Sequence, residues 1–342
     1  MALAVIIGVL AIAAVAGLTA LNNIVRPPEI PVIQAAIPDI APREETENYE
    51  DGDADQELHE EPPPVLVRYE ERKPLFFTFL IFGLTEGLNA NTIMVGAYDG
   101  EARRGYIVSI PRDTQVDVQR NHRKIVVSYP SGRLGGRGHE GGVNRIKDEV
   151  QTLVGFRPDF YIMIDYEAFI RMVDAVGGVE IYVPFHMRYD DPWQDLHIDI
   201  PAGLQILDGE DALRFARYRR GNDPRQTISD YQRIEHQQQV IAAMFRELLT
   251  PATILRIPEF ISIFNSYVRS DLAHGELLWF ANEIRRIYGT EALNFYTIPM
   301  LGTSGPPQWY ELPDGAGIVE LVNRTINPLA RDITSADLRI AR

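Results

Sequence analysis

Arginine and lysine are concentrated in two segments of a chain whose formal net charge is -15. Residues 101–147 contain ten Lys and Arg against four Asp and Glu, and residues 214–236 contain six Arg against three acidic residues. A guanidinium group pairs bidentately with phosphate oxygens, so clustered arginines with few acidic partners indicate a phosphate or diphosphate site. For any single arginine, a solvated surface position is the simpler alternative.

The first basic segment contains the motif Ser-Ile-Pro-Arg-Asp-Thr at residues 109–114. The motif follows a predicted strand, and α/β proteins build binding sites at the ends of strands. Arg112 is therefore a candidate to bind a phosphate, and Asp113 is a candidate to hold a divalent cation or to accept a proton. An ordinary turn without a ligand is the alternative.

The second basic segment contains Arg217 and Arg219, followed by a predicted helix that begins near Asp230. Asp230, Arg233 and Gln237 are spaced i, i+3 and i+7, so they share one face of that helix. They form a second candidate site for a charged ligand. The alternative is that Asp230 only caps the helix and pairs with Arg233 within it.

Alternating strands and helices are predicted to position these residues. Apolar and β-branched runs predict strands at 74–84, 92–98, 105–110, 160–165, 179–184 and 294–299. Helical periodicity predicts helices at 143–153, 167–176, 209–217, 230–250, 273–287 and 316–326. This order predicts an α/β fold, a three-layer α/β/α sandwich with a mixed central sheet covered on both faces.

The N-terminal part of the chain has a different composition. Residues 2–21 carry no charge, and about 20 apolar residues span a bilayer as a helix. We expect a transmembrane signal-anchor over 1–24, with a cleaved signal peptide or a buried helix as alternatives. Residues 25–64 are rich in proline and acid and predict a disordered linker. The catalytic or binding domain is then expected over 65–330, and a C-terminal tail over 331–342.

Composition also excludes several classes of site. The chain has no cysteine, which excludes disulfides, thiolate metal sites and a cysteine nucleophile. The excess of acidic residues speaks against nucleic acid as a partner, because phosphate backbones are bound by excess Lys and Arg.

Several motifs together resemble the LytR–CpsA–Psr family, and the resemblance extends over about 75–330. They occur in the family's order and spacing: the motif at 109–114, then Lys124, Ile125 and Tyr129, then the stretches 159–184, 207–219, 230–240 and 310–323. The resemblance implies a single-pass cell-membrane protein whose α/β/α domain is extracytoplasmic. It also implies that the domain binds a polyprenyl tail in an apolar groove and its pyrophosphate among arginines, with Mg²⁺.

The resemblance assigns roles residue by residue. The residues that match the family's pyrophosphate-binding positions are Arg112, Arg217, Arg219, Arg233 and Gln237. Those that match positions of the catalytic polar site are Arg112, Asp113 and Asp230, and those that match the metal positions are Asp113 and Asn91. The implied reaction transfers a polyprenyl-pyrophosphate-linked glycopolymer to a hydroxyl of a wall sugar, in peptidoglycan or another wall glycan, and releases polyprenyl phosphate.

Four positions depart from the family pattern: Thr85 stands where an acid is common, His236 replaces an Arg before Gln237, and two asparagines replace ligand-binding residues. Asn89 stands where the family usually has a phosphate-binding Arg, and Asn91 stands where it has a carboxylate that binds Mg²⁺. Because an amide oxygen carries no formal charge, metal affinity is expected to fall. The alternative function is therefore a non-catalytic envelope protein that binds prenyl pyrophosphate or wall glycan.

Overall fold

The structure is a computed structural model, and it describes residues 26–30, 34–35, 68–69, 71–85, 88–193, 196–250, 257–284 and 292–341. The predicted transmembrane segment 1–24 lies outside the described residues, as does most of the predicted linker. Within the described ranges, no helix combines the length and the apolar composition needed to cross a bilayer.

The chain forms fourteen described strands. They are β1 (Gln34–Ala35), β2 (Arg68–Tyr69), β3 (Phe76–Leu84), β4 (Ala90–Asp99), β5 (Arg104–Ser109), β6 (Phe160–Ile164), β7 (Val179–Val183), β8 (Met187–Asp191), β9 (Leu196–Ile200), β10 (Gly203–Leu207), β11 (Arg269–Ser270), β12 (Leu293–Thr297), β13 (Met300–Thr303) and β14 (Glu311–Pro313). Six of them form the central sheet, in the order β11-β6-β3-β4-β5-β12. The pairs β3–β6 and β5–β12 are parallel, and the remaining pairs are antiparallel. The predicted mixed sheet of an α/β fold is confirmed.

Eight α-helices accompany these strands in the described ranges. They are α1 (Ser128–Gly132), α2 (Gly138–Val154), α3 (Tyr166–Val176), α4 (Gly209–Arg217), α5 (Asp230–Leu248), α6 (Ile257–Tyr267), α7 (His274–Ile284) and α8 (Gly315–Thr325). A π-helical turn, Arg133–Arg137, joins α1 to α2.

Alternate residues of β3 face opposite sides of the central sheet, so both of its faces are buried. Leu80 and Phe82 pack in a cluster that includes Ile146 of α2 and Leu321 of α8. On the other face, Phe77 makes an edge-to-face contact with Trp279 of α7. Helices therefore cover the sheet on both sides, as the continuous apolar run of β3 predicts.

The predicted strand at 179–184 exists, but it does not join the central sheet. Val179–Val183 pairs with β10, and the chain between them returns as the antiparallel pair β8–β9. The four strands make one long hairpin arm, whose inner side chains belong to a second apolar cluster with α3, α4 and α5. The arm carries Tyr189 and Leu196 to the candidate site described below.

Residues near both chain ends pack against the domain. Gln34–Ala35, inside the predicted linker, pairs with Arg68–Tyr69, and Ile30 packs against the aromatic cluster of the sheet. Ile333 and Leu338, inside the predicted C-terminal tail, are buried in the cluster of α2 and α8.

Candidate functional site

A cavity of about 640 Å³ opens between the central sheet, the helices α3, α4 and α5, and the hairpin arm. Five arginines line it, and the four that were predicted from the sequence are called the arginine cluster: Arg112, Arg217, Arg219 and Arg233. They come from three segments of the chain, namely the turn after β5, the end of α4 with the residues after it, and the start of α5. The structure thus brings together arginines that are up to 121 positions apart (233 minus 112).

The turn after β5 is held in place by backbone contacts. The Thr114 hydroxyl donates to the Pro111 carbonyl at 2.6 Å, and the amide of Val126 donates to the Arg112 carbonyl at 3.0 Å. The strand end itself is tied to α5, because the Gln238 side chain donates to Ser109 Oγ at 2.9 Å. Arg112 therefore projects from a fixed point of the sheet edge.

The helix α4 ends at Arg217 and directs two arginines into the cavity. Asp208 caps its start by accepting from the backbone amide of Asp211. The Arg217 guanidinium lies 4.5 Å from the centre of the Tyr166 ring, a cation–π contact that orients it. Two residues further on, the Arg219 carbonyl accepts from the amide of Ile228, which fixes the loop that carries Arg219.

The helix α5 begins with a capping box formed by Ser229 and Gln232, so Asp230 is its first residue. Arg233 and Gln237 follow on the same face and both line the cavity. The spacing of Arg233 and Gln237 along the helix thus places both side chains on one face, as predicted. The capping alternative is wrong for Asp230, since Ser229 is the cap, but the i,i+3 pair with Arg233 does form.

Asp230 lies behind the arginine cluster and contacts three of its members. Its Oδ1 is 3.0 Å from Arg233, 3.7 Å from Arg112 and 3.9 Å from Arg219. Burial lowers the pKa of Arg233 from its ordinary value, Asp230 opposes that shift, and the neighbouring Arg112 and Arg219 reinforce it. One carboxylate therefore holds three guanidinium groups that repel one another, and the surplus of positive charge faces the cavity.

Some donors of this cluster have no protein acceptor. The Nε–H groups of Arg112 and Arg233 are buried, and neither has a hydrogen-bond partner among the described residues. Buried donors without partners cost free energy and are rare in stable proteins. Within the described ranges, Arg72 also has unpaired buried nitrogen atoms away from the cavity, so it is the combination of such donors with the cavity and a surplus of positive charge that indicates an anion site.

Asn91 lines the cavity next to Arg112, whose Nη1 donates to the amide oxygen at 3.3 Å. The register of β3 and β4 shifts here, from Gly83 opposite Thr92 to Leu84 opposite Ala90, so Asn91 has no residue opposite it. A β-bulge of this kind redirects a side chain. It turns Asn91 toward the arginine cluster.

Asp113, the residue after Arg112, is placed differently. The Asp113 carboxylate forms an ion pair with Lys124, with 3.0 Å between Oδ1 and Nζ, and the Asp113 side chain is about one-third exposed. Asp113 is not among the described residues that line the cavity. Asn91 and Asp113 are therefore not brought together as a pair of metal ligands around the cavity. Nor do the described residues contain any group of three acidic or histidine side chains suited to a metal ion. The donor set does not fit a preformed Mg²⁺ site.

Much of the remaining wall of the cavity is apolar. Its apolar residues include Ile81, Leu84, Met94, Phe169, Met172, Leu213, Ile241 and Met244. Ile81 also lines a second cavity of about 290 Å³ between the sheet and the helices α5, α6 and α7, whose walls are almost entirely apolar side chains. The arrangement suits a ligand with one strongly anionic group and a long apolar part.

Several polar or aromatic residues of the first cavity were not predicted from the sequence, among them one arginine and two residues of the hairpin arm. Arg220 lines the cavity beside Arg219, and the hairpin arm contributes Asp191 and the almost fully exposed Trp193. The Arg-Tyr-Arg-Arg run was a usable signal for Arg220. No local signal marked the arm, because its position depends on how β8 and β9 fold back over α4.

Several known proteins are similar to this chain in sequence. The chain is 28% identical over 249 residues to the cell wall biosynthesis protein LcpA of Corynebacterium glutamicum, covering 67% of this chain and 46% of LcpA. It is 25% identical over 271 residues to TagV of Bacillus subtilis, named as a polyisoprenyl-teichoic acid–peptidoglycan teichoic acid transferase, covering 75% of this chain and 64% of TagV. The chain thus spans about half to two-thirds of the length of these relatives.

Solved structures share the fold. The crystal structure of B. subtilis TagV superposes with a TM-score of 0.58 at 22% identity, covering 72% of this chain and 94% of that one. TagT bound to LIIa-WTA superposes with a TM-score of 0.57 at 18% identity, covering 75% and 91%. Finally, the model of the LytR–CpsA–Psr family (LytR_cpsA_psr) matches residues 47–325, which is most of the chain. The chain therefore belongs to the LytR–CpsA–Psr family.

Proposed function

We propose that this protein transfers a polyprenyl-pyrophosphate-linked glycopolymer to a hydroxyl group of a cell-wall sugar. One observation carries the proposal: the arginine cluster forms the cationic part of a cavity whose remaining wall is largely apolar. A diphosphate group requires charge neutralisation, and a prenyl chain requires an apolar surface, so this cavity is complementary to both parts of such a donor.

The arginine cluster is proposed to bind the diphosphate and stabilise the charge that develops during transfer. Phosphoryl transfer depends mainly on alignment and charge neutralisation, which guanidinium groups supply without forming a covalent bond. Asp230 is proposed to position Arg112, Arg219 and Arg233, since it contacts all three. Gln237 adds an uncharged donor to the same wall.

In the proposed reaction, the acceptor hydroxyl oxygen attacks the phosphorus that carries the glycan. A new P–O bond forms to the acceptor, and the P–O bond to the bridging oxygen of the diphosphate breaks. Polyprenyl phosphate leaves with the electron pair of the broken bond, and the hydroxyl proton passes to a base. Asp113 is a candidate for that proton from the sequence, but it pairs with Lys124 outside the cavity lining, so the base is not assigned to it.

The apolar walls of both cavities are proposed to hold the prenyl chain, which would enter from the cell membrane. This agrees with an anchor at residues 1–24 and an extracytoplasmic domain, which we propose together with peptidoglycan or another wall glycan as acceptor. The names of TagV and LcpA support a wall polymer as cargo, because they refer to teichoic acid transfer to peptidoglycan and to cell wall biosynthesis.

A transfer assay tests the proposal directly. The full chain in detergent would be incubated with a polyprenyl-diphosphate-linked glycan and a peptidoglycan fragment, and polyprenyl phosphate would be measured. Release that depends on both the protein and the acceptor is the expected result. If the donor binds but no polyprenyl phosphate appears, transfer is wrong for this chain.

One feature supports a second candidate, a non-catalytic protein that binds prenyl pyrophosphate or wall glycan. Asn91 provides an amide where the family resemblance leads us to expect a carboxylate, and its oxygen is already bonded to Arg112. A protein of this kind would bind the donor with the same cavity and leave it intact.

A further inference from the structure

The geometry of the cavity points to a diphosphate site that needs no divalent metal. We propose that the arginine cluster binds the diphosphate directly and that Mg²⁺ contributes little to affinity. This inference rests on the proposed function, because it assumes a diphosphate ligand, and it departs from the Mg²⁺ that the family resemblance leads us to expect.

The first support is the environment of Asn91. A magnesium ion in a protein is held by one or two carboxylates together with phosphate oxygens and water. Asn91 presents a neutral amide to the cavity, and its oxygen accepts from Arg112 at 3.3 Å. A cation bound at that oxygen would compete with a guanidinium group that is already there. The position is therefore occupied by a positive group of the protein itself.

The second support is that nearby carboxylates are engaged elsewhere. Asp113 pairs with Lys124 and does not line the cavity, and Asp230 contacts three arginines. Two further acids do line the cavity. Of these, Asp165 caps α3 by accepting from the amide of Ala168, and Asp191 accepts from the Tyr189 hydroxyl at 3.1 Å.

The third support is the charge balance. Five arginines line the cavity, while Asp230 behind them and the lining residues Asp165 and Asp191 carry three negative charges, which leaves a surplus of two. A diphosphate with substituents at both ends carries two negative charges, and one with a free end carries about three near pH 7. The protein therefore supplies the neutralisation that a metal ion supplies elsewhere, and a divalent cation would add charge to a site that is already positive.

Binding of farnesyl diphosphate tests the proposal without requiring turnover. Calorimetric titrations of the full chain in detergent would be run in buffer with EDTA and in buffer with millimolar Mg²⁺. We expect dissociation constants that agree within about threefold, because the protein supplies the neutralising charge. Affinity that falls about tenfold or more in EDTA and is restored by Mg²⁺ overturns the inference and leaves the proposed function standing.

Two substitutions that add the same charge make the test specific. Asn91→Asp adds a charge beside Arg112, so binding in EDTA should weaken about tenfold and Mg²⁺ should restore part of it. Asn265→Asp adds the same charge at an exposed position outside both cavities, and its affinity in EDTA should stay within about threefold of the original protein. If Asn91→Asp binds like the original protein in both buffers, Asn91 does not face the headgroup and the inference is wrong.

The outcomes also separate the two proposals. If the original protein binds farnesyl diphosphate in neither buffer while its thermal melting is normal, both the metal-independent site and the proposed function are wrong. Equal binding in both buffers, combined with a metal requirement only in Asn91→Asp, supports the inference.

Discussion

Two arginine sites in the described part of the chain, one around Arg120 and one at the arginine cluster, are built in opposite ways. Arg120 donates to both oxygens of Glu149, to the His122 carbonyl at 2.6 Å and to the Lys124 carbonyl at 2.9 Å. Its carboxylate partner is 2% exposed and also accepts from the Ser128 hydroxyl. In the arginine cluster, by contrast, three guanidinium groups share the one carboxylate of Asp230, Arg112 also donates to Asn91, and two Nε–H groups have no acceptor within the described part of the chain.

The difference distinguishes an arginine that stabilises the fold from arginines whose positive charge is available to bind a ligand. At Arg120 nearly every donor is used, so the site is complete without any other molecule. In the arginine cluster, the positive charge exceeds the negative charge, which costs stability unless an anion binds. Substitutions at the two sites should therefore affect different measurements.

The largest effect is expected for Arg120→Ala, in folding stability. The change leaves the buried Glu149 carboxylate with only Ser128 and the more distant Arg145, so the free energy of unfolding should fall by about 3 kcal/mol. Urea denaturation of the full chain measures it. Binding of farnesyl diphosphate by the fraction that remains folded should be unchanged, and a loss of binding without a loss of stability would contradict the assignment of Arg120 to the fold.

Arg112→Ala should weaken ligand binding strongly and change folding stability little. Charge-assisted hydrogen bonds contribute about 1.5–3 kcal/mol each, so the dissociation constant for farnesyl diphosphate should rise about 30-fold. The free energy of unfolding should change by less than about 1 kcal/mol, because removing one guanidinium relieves repulsion within the cluster. Arg225→Ala is the matched control, since it removes the same charge at a side chain that is 89% exposed and outside the cavity.

Acidic pH should weaken the helix that carries Arg233 and Gln237. His236 lies between them, stacks on Phe215 at 4.3 Å and is buried with Nδ1 unpaired among the described residues, and burial lowers its pKa to about 4. The unfolded chain takes up the proton near pH 6.5, so stability is present above that pH and is lost as pH falls toward 4.

Between pH 7 and pH 5, this histidine should reduce the free energy of unfolding by about 2 kcal/mol. Denaturation curves of the original protein and of His236→Gln at both pH values give the comparison. The variant should lose less stability than the original protein on acidification. Equal losses in both proteins would show that other groups dominate the acid sensitivity.

The smallest effects are expected at two adjacent glutamines of α5, one that lines the cavity and one that stabilises the fold. Gln237→Ala removes a neutral donor from the cavity, so affinity for farnesyl diphosphate should fall about threefold with stability unchanged. Gln238→Ala breaks the bonds to Ser109 Oγ and the Tyr296 carbonyl, so unfolding should require about 1 kcal/mol less with affinity nearly unchanged. Identical effects of the two changes would remove the distinction between the two kinds of site.

Long periodic segments were predicted well because their own residues determine them. The predicted helices at 167–176 and 209–217 appear as Tyr166–Val176 and Gly209–Arg217, each capped by an aspartate. The start of α2 was missed, because Gly138–Gly142 reads as a loop by propensity. There a Cβ on Gly141 would lie 2.7 Å from the Gly132 carbonyl oxygen, so close packing with α1 favours glycine in this helix.

The sequence by itself determined which side chains could bind a diphosphate, because arginines with few acidic neighbours and a helical i, i+3, i+7 spacing are visible in local order. Only the tertiary structure decided that Arg112 and Asn91 face the cavity while Asp113 pairs with Lys124 outside it. That choice depends on a bulge in β4 and on the turn after β5, whose directions are set by contacts with distant residues. The periodicity of the sequence predicts which face of a helix or strand a residue lies on. It does not predict which side chains a neighbouring segment places against that face.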